Sequence, residues 1–331
     1  MNIIPIIPQY SYEILSTNRY DIGAEYHIQL RITEACDLQC EYCHWHGGKH
    51  YDFEDIIASI NSIFTFLKKQ NIKSVHFYYH GGEATRHNKL LNILKHIKEC
   101  AVSSNITAYN ELQTNLTLKT ELLESLLPYF DLMSISFHYM ELIKRPYKLQ
   151  AFQKNFEYLK SNNKAIQNFD IMLELIPEEN LENYHELILS FLEYENIVNS
   201  EMIYGYYDFT KTQQVIEQHK SFYDAHNKTE QLYLIDDVKY NTSELFTNSL
   251  DCRGWKCDAG KKTLYVNGDG NVFVCAEPTT RFIKQNSTEI PYTNLITDSS
   301  AISKLSILSK SGTICKWNVC AGDFYIDRIK K

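Results

Sequence analysis

The sequence predicts an α/β chain. It reads as a partial (β/α)6 TIM-like barrel over residues 25–235, with residues 1–24 as an N-terminal extension and residues 236–331 as a small module built on a β-hairpin. Three observations predict this. From Glu25 to about Ala225, short apolar runs alternate with longer amphipathic ones about six times, the signature of a parallel sheet with right-handed crossovers. Beyond about Leu250 the texture changes to KKTLYVNGDGNVFVC, which alternates apolar and polar residues around NGDG, a hairpin signal. No run of about 18 apolar residues and no repeat of about 20–50 residues interrupts the pattern, which argues against a membrane span and a solenoid.

Taken in order, EYHIQLRI (Glu25–Ile32) reads as the first strand. Ile56, Ile57, Ile60, Ile63, Phe64 and Leu67 then fall at helical spacing over Phe53–Lys69. SVHFYY (Ser74–Tyr79) is the second strand, with a helix near Asn88–Cys100. ITAYNELQ (Ile106–Gln113) is the third, and its helix near Glu121–Leu127 is closed by Pro128. LMSISF (Leu132–Phe137) precedes a helix near Leu149–Ser161; FDIMLELI (Phe169–Ile176) precedes Pro177 and a helix near Asn180–Leu192. SEMIYGYY (Ser200–Tyr207) is the sixth strand, with a helical segment near Gln213–His226. In barrel-like α/β folds, active sites lie on the loops after the strands. Here CDLQCEYC follows the first strand and HGGE the second, while QTN closes the third and SFH the fourth, so all four motifs share one rim.

The net charge of -8 argues against a nucleic-acid polyanion as main partner, because such binding rests on phosphate neutralisation. The start, MNIIPIIPQYSYEILS, is apolar but has no basic region and carries two prolines, so it does not read as a signal peptide. Nine cysteines without such a signal are expected in a reducing cytoplasm as free thiols, metal ligands or catalytic groups. Eight of them fall in two clusters, which favours metal; Cys100, in a helix, reads as a buried small hydrophobe.

The first cluster is Cys36, Cys40 and Cys43, spaced C-x3-C-x2-C. A short loop of this kind can point three thiolates at one corner of a [4Fe–4S] cubane, leaving one iron with open positions. The alternative is a zinc loop completed by His44, His46 or His50. With Tyr42 as the aromatic in C-x3-C-x-aromatic-C, the stretch resembles the radical S-adenosylmethionine (radical SAM) superfamily.

That resemblance implies that the open iron chelates the methionine part of SAM, that the reduced cluster cleaves SAM, and that the resulting 5′-deoxyadenosyl radical abstracts a substrate hydrogen. It also implies a one-electron donor such as flavodoxin or ferredoxin. HGGEAT resembles the family's GGE motif, with Ala84 where Pro is frequent. Gly81 and Gly82 would permit close backbone approach, and Glu83 would offer a carboxylate to SAM's ammonium. QTNLTL resembles QTNGTL of SPASM-type maturases, with Leu116 in place of Gly; Ser136 ends SIS, but FHY follows where those relatives read LDG. Gln113, Asn115 and Ser136 are thus candidate polar contacts to SAM, or strand-end caps. Glu174 on the fifth strand is a candidate pocket carboxylate or a satisfied internal polar residue.

The second cluster is Cys252, Cys257, Cys275, Cys315 and Cys320. Cys257 to Cys275 reads C-x12-G-x4-C through Gly270, resembling the opening of the SPASM/twitch pattern. The resemblance implies one auxiliary [4Fe–4S] cluster on Cys257, Cys275, Cys315 and Cys320, with Cys252 as a substitute ligand or bystander; a structural zinc site is the alternative. Glu277 is a candidate catalytic base beside it, or a surface carboxylate.

The function implied is radical modification of a ribosomally made peptide by crosslinking, oxidation or epimerisation. The alternative substrate is a sugar, aminocyclitol or other small metabolite, and a non-catalytic metal scaffold is a third reading. About 24 residues precede the first strand, too few for a winged-helix leader-binding domain.

Overall fold

The computed structural model describes residues 12–16, 24–40, 43, 48–162, 168–175, 199–204, 232–235, 238–241, 256–257, 259–275, 291–314 and 328–329. Its first strand, β1 (Tyr12–Ser16), lies inside the expected N-terminal extension. The barrel elements follow: β2 (Tyr26–Arg31), α1 (Phe53–Lys69), β3 (Ser74–His80), α2 (Leu90–Ser104), β4 (Thr107–Thr114), α3 (Thr120–Leu126), β5 (Leu132–Phe137), α4 (Tyr139–Ile143), α5 (Pro146–Ser161), β6 (Asn168–Leu175) and β7 (Asn199–Tyr204). After these come β8 (Leu232–Ile235), β9 (Val238–Asn241), β10 (Lys256–Cys257), β11 (Thr263–Asn267), β12 (Asn271–Phe273), β13 (Thr293–Asn294), α6 (Ala301–Ser311), β14 (Thr313–Ile314) and β15 (Arg328–Ile329). The helices expected near 180–192 and 213–226 lie outside the described residues.

Local chemistry sets these elements. Asp52 caps α1 by accepting from the N–H groups of Glu54 (2.9 Å) and Asp55 (3.4 Å); acids occupy its first turn and Lys68 and Lys69 its last, matching the helix dipole. Asn105 closes α2 in the left-handed conformation that Asn tolerates. Along β2 to β5 the side chains alternate between two faces. Tyr26, Phe77, Tyr79 and Phe137 pack their rings on Phe66, Phe64, Phe130 and Phe152, burying the helix-facing side.

The main sheet has nine strands in the order β13-β12-β11-β2-β3-β4-β5-β6-β7. Strands β2 to β7 pair in parallel, as the repeated strand-helix pattern requires. The C-terminal hairpin does not stand apart from them. Its strand β11 runs parallel to β2, Thr263 opposite His27 and Asn267 opposite Arg31, while β12 and β13 add antiparallel strands beyond it. Helix α6 settles beside α1: Gln70 Nε2 donates to Ser306 Oγ (2.8 Å), Ser309 Oγ donates to Gln70 Oε1 (3.1 Å), and Leu305 and Leu308 are buried. The Tyr26 hydroxyl donates to the Gly260 carbonyl (2.9 Å), a second fastening at the foot of β2.

Two small sheets complete the topology, β1-β8-β9 and β14-β10-β15. In the second, Cys257 lies opposite Thr313, two residues before Cys315 in sequence. Among the described residues, no helix is long and apolar enough to cross a membrane.

Candidate active site

The loops after β2, β3 and β4 meet at one end of the parallel sheet, and backbone contacts lock them together. The Gly82 N–H donates to the Thr33 carbonyl (3.1 Å) and the Glu83 N–H to the Ala35 carbonyl (2.8 Å). The approach is so close that a side chain at either glycine has no room. A Cβ on Gly82 would lie 2.3 Å from the Ala35 oxygen, and one on Gly81 would lie 2.5 Å from the Thr33 oxygen. Gly81 also has φ +127°, a conformation open to glycine and strained for other residues. The two glycines therefore press the HGGE turn directly onto the segment that enters the cysteine loop.

Glu83 joins these two loops to the third. Its carboxylate is buried and accepts from four donors: the Thr85 N–H (3.2 Å), the Thr85 hydroxyl (2.6 Å) and the Thr114 hydroxyl (2.9 Å) at Oε1, and the Asn115 N–H (2.7 Å) at Oε2. Burial raises its pKa, while the bonds from Thr85 and Asn115 pull the other way. A carboxylate offers about four lone-pair sites, two on each oxygen; here three donors crowd Oε1 and one meets Oε2, which leaves Oε2 room for a further donor. The sequence suggests a carboxylate presented to SAM's ammonium; in the structure the same carboxylate also ties β3 to β4.

Asn115 continues the chain of contacts to the cysteines. Its Nδ2 lies 3.7 Å from Cys36 Sγ and donates to Asp37 Oδ1 (2.9 Å); its Oδ1 accepts from the Thr117 N–H (3.1 Å) and hydroxyl (2.8 Å). The Thr117 hydroxyl also lies 2.8 Å from Asp37 Oδ2, sharing its one proton between that oxygen and Asn115 Oδ1, and Asp37 pairs with Lys148. Burial raises the Asp37 pKa, but the bonds from Lys148, Asn115 and Thr117 hold it below the usual carboxylate range. Within this turn Leu116 adopts φ +57°, which explains why glycine suits the position in QTNGTL; its side chain is fully buried, and the Asn155 amide secures its carbonyl (2.9 Å).

Cys40 is buried, and Cys36 and Cys43 are half-buried. The Leu38 N–H points at Cys36 Sγ (3.4 Å), and the Cys43 N–H donates to the Cys40 carbonyl (3.0 Å), so the loop curls back on itself. Burial, then the nearby Glu83 charge, pushes the Cys36 thiol up to about 12, so metal binding there must displace a proton. Among the described residues, no three His, Cys, Asp or Glu side chains converge as a mononuclear site requires. Cubane ligands sit on separate irons and need no such convergence; three soft sulfur donors on one curled loop are the donor set that fits an iron–sulfur cluster. His50, one candidate fourth ligand for zinc, pairs its Nδ1 with the Thr33 hydroxyl (2.9 Å) and sets its ring against His87.

Below the rim, the inner face of the sheet is polar and layered. Gln29 Nε2 donates to the Tyr265 hydroxyl (2.8 Å), the Tyr78 hydroxyl donates to Gln113 Oε1 (2.8 Å), and Gln113 Nε2 reaches Ser136 Oγ (3.4 Å). A deeper row joins His27 to His76 (Nδ1 to Nδ1, 3.2 Å), His76 to Glu111 (3.1 Å) and Ser134 to Glu111 (2.5 Å). Nearest the rim are Arg31 and His80; His80 stacks on Tyr78 and meets Tyr265 edge-on. Burial, then the charge of Arg31, lowers the His80 pKa to about 3, and burial lowers that of Arg31 to about 10.

Of the residues singled out from sequence, Cys36, Gly81, Gly82, Glu83 and Asn115 come together in one network, Cys40 and Cys43 are hydrogen-bonded to each other on the same loop as Cys36, and Gln113 and Ser136 form part of the inner wall. Cys275 is half-buried just beyond β12, and Cys257 lies on β10. Cys100 is half-buried, with its sulfur near Asn61 (3.5 Å) and His96 (3.4 Å), so it is not the purely apolar filler expected. Tyr42, His44, Trp45, His46, Cys252, Glu277, Cys315 and Cys320 lie outside the described residues, and the Glu174 backbone lies in β6. Sequence reading missed Asp37, Lys148, Arg31, His76 and His80. The inner-wall residues had a signal, since His27, Gln29 and Arg31 alternate with Ile28 and Leu30 on one strand.

No family model matches the chain, and no curated protein matches it in sequence. Solved structures do match its fold. It is similar to polyhistidine-tagged anSMEcpe with bound AdoMet at 16% identity and TM-score 0.52, over 90% of this chain and 88% of that one. It is similar to native anSMEcpe with bound AdoMet and Cp18Cys peptide at 15% identity and TM-score 0.52, over 89% and 88%. It is similar to Streptococcus suis SuiB bound to precursor peptide SuiA at 15% identity and TM-score 0.51, over 85% and 64%. The chain shares the fold of these structures, a mostly parallel TIM-like barrel sheet.

Proposed function

We propose that this chain is a radical SAM enzyme that modifies a ribosomally made peptide. One observation carries the reading: the three-cysteine loop, the Gly81–Gly82 turn and the QTN turn occupy the same end of the sheet, and Asn115 bonds to both Asp37, beside Cys36, and Glu83. Cys36, Cys40 and Cys43 would hold a [4Fe–4S] cluster with one iron left for SAM. A cluster held there would supply the one electron that cleaves SAM, and with it the 5′-deoxyadenosyl radical chemistry that removes a substrate hydrogen atom.

The residues of the chain position and shield. Gly81 and Gly82 bring the SAM-side turn against the cluster loop, and Glu83 keeps that turn fastened to β4. Tyr42, Glu83, Gln113, Asn115 and Ser136 are assigned to binding SAM. Cys257, Cys275, Cys315 and Cys320 are assigned to an auxiliary [4Fe–4S] cluster, a reading supported by the pairing of Cys257 with Thr313, close in sequence to Cys315. In an oxidation this second cluster would accept the remaining electron, and Glu277 the proton. A flavodoxin or ferredoxin would supply the first electron.

The peptide assignment is supported by the anSMEcpe and SuiB complexes, which hold peptides on the same fold. A second reading, a small polyhydroxylated metabolite, is favoured by the hydrogen-bonding inner wall of Gln29, Tyr78, Gln113, Ser136 and Tyr265. The test is anaerobic incubation of reconstituted enzyme with SAM, dithionite and candidate peptides or sugars in deuterated solvent. Product with solvent deuterium and otherwise unchanged mass indicates epimerisation; loss of two hydrogens indicates oxidation. Formation of 5′-deoxyadenosine by wild type and none by Cys40→Ala is expected. Wild type that holds its cluster but never cleaves SAM refutes the reading.

A further inference from the structure

The loop carrying Cys36 is braced by a helix on the far side of the QTN turn. Helix α5 is fastened to that turn by Asn155, whose Nδ2 donates to the carbonyls of Leu116 (2.9 Å) and Leu118 (2.7 Å). From the first turn of the same helix, Lys148 reaches Asp37 Oδ2 and forms an ion pair. The two side chains are only 13% and 9% exposed, so water does little to screen or replace the contact. Asp37 directly follows Cys36, and the Asn115 amide touches both. Arg145, three residues before Lys148, lies within electrostatic reach of Cys40.

This arrangement has a geometric and an electrostatic consequence. A buried carboxylate with its counter-charge removed is destabilised and keeps only the bonds from Asn115 and Thr117, so the Cys36 backbone would be held less firmly. A bare carboxylate beside a cluster ligand would also add negative charge where an electron must arrive, and an ammonium on that carboxylate cancels it at short range. We propose that Lys148 is a positioning residue for the cysteine loop: through Asp37 it fixes Cys36 before any cluster binds, and it neutralises the Asp37 charge beside the cluster. The second half of this proposal rests on the reading of Cys36, Cys40 and Cys43 as cluster ligands.

The experiment compares full-length wild type, Lys148→Met and the double variant Asp37→Asn/Lys148→Met. Hydrogen exchange over residues 33–40 is read on the apoproteins. Iron uptake and the midpoint potential, followed by electron paramagnetic resonance, are read after anaerobic reconstitution. Lys148→Met is expected to exchange faster by about tenfold or more in that segment and to shift the potential to more negative values. The double variant, which keeps an acceptor oxygen without the charge, is expected to return both readouts toward wild type. Lys148→Met indistinguishable from wild type, or a double variant no better than Lys148→Met, overturns the proposal. If Lys148→Met does not fold, wild-type-like exchange and potential in the double variant support it, and loss of either overturns it. Wild type that takes up no cluster defeats the reading of the cysteines, and the apoprotein exchange then decides the anchoring role alone.

Discussion

Gly82→Ala adds one methyl group at the tightest point of the site. An ideal Cβ there lies 2.3 Å from the Ala35 oxygen and 2.5 Å from the Glu34 carbonyl carbon, both main-chain atoms that no rotamer change can move aside. Ordinary contact begins at 3.4 Å, so the HGGE turn and the cysteine loop must separate by about 1 Å. That movement strains the bonds from the Gly82 N–H to Thr33 (3.1 Å) and from the Glu83 N–H to Ala35 (2.8 Å). Overpacking costs about 1–3 kcal/mol and each weakened hydrogen bond about 0.5–1.5 kcal/mol, so a destabilisation of about 3 kcal/mol is expected. In a chain of 331 residues that lowers the melting temperature by roughly 4 °C. Gly48→Ala is the control. Gly48 has φ +67° but, among the described residues, no atom within 4 Å of its missing Cβ, so the left-handed backbone is what is penalised, by about 1–2 kcal/mol. The assay is thermal unfolding of the apoproteins by circular dichroism, with iron uptake on reconstitution as a second readout. Gly82→Ala melting within about 1 °C of wild type, with full iron uptake, would refute the claim that the turn and the loop are pressed together.

Three further outcomes follow from the same network. Glu83→Gln places an amide NH2 among groups that already donate, and should lower the urea stability of the SAM-free apoprotein by about 1–3 kcal/mol; unchanged stability would mean the carboxylate is not the tie described. Burial, then the neighbouring His76, depresses the His27 pKa to about 3 from its ordinary 6.5. The unfolded chain therefore protonates first as pH falls, and the stability His27 contributes is present above pH 6.5 and lost on the way down to about 3. His27→Gln should remove a slope of up to about 1.4 kcal/mol per pH unit in that window, read from urea midpoints, and an unaltered slope counts against a buried neutral imidazole. Leu116→Gly should relieve about 1–2 kcal/mol of left-handed strain but forfeit about 2–5 kcal/mol of burial, for a net loss of about 1–3 kcal/mol. A variant more stable than wild type in the same assay would show that strain outweighs packing there.

Local pattern made much of this protein legible. The Ile and Phe spacing marked α1 at Phe53–Lys69, the span observed, and the strands from Ser74 to Phe137 were marked to within a residue at each end. Motifs at strand ends converged because a parallel sheet puts all those ends on one side. What escaped was non-local. NGDG announces the antiparallel partner of β11 but says nothing of its other edge, so its parallel pairing with β2, more than 230 residues away, was invisible. The pairing of β1 with β8 was hidden in the same way. Sequence showed Glu83 as an acid after two glycines; only the fold brings Thr114 and Asn115 to bond it. Asp37 sat unremarked between cysteines because its partner Lys148 lies 111 residues on, on a helix that reads as an ordinary amphipathic one.

The measurement closest to the central claim is the electron paramagnetic resonance spectrum of anaerobically reconstituted, dithionite-reduced protein before and after SAM is added. Three variants separate the clusters: wild type, a Cys36/Cys40/Cys43→Ala triple variant and Cys275→Ala. A cluster with one iron left to SAM predicts a spectrum that changes on SAM addition in wild type and in Cys275→Ala, and a triple variant whose remaining signal ignores SAM. Iron-loaded wild type with a spectrum indifferent to SAM, or a triple variant that still responds, would contradict the claim that these three cysteines hold an open cluster.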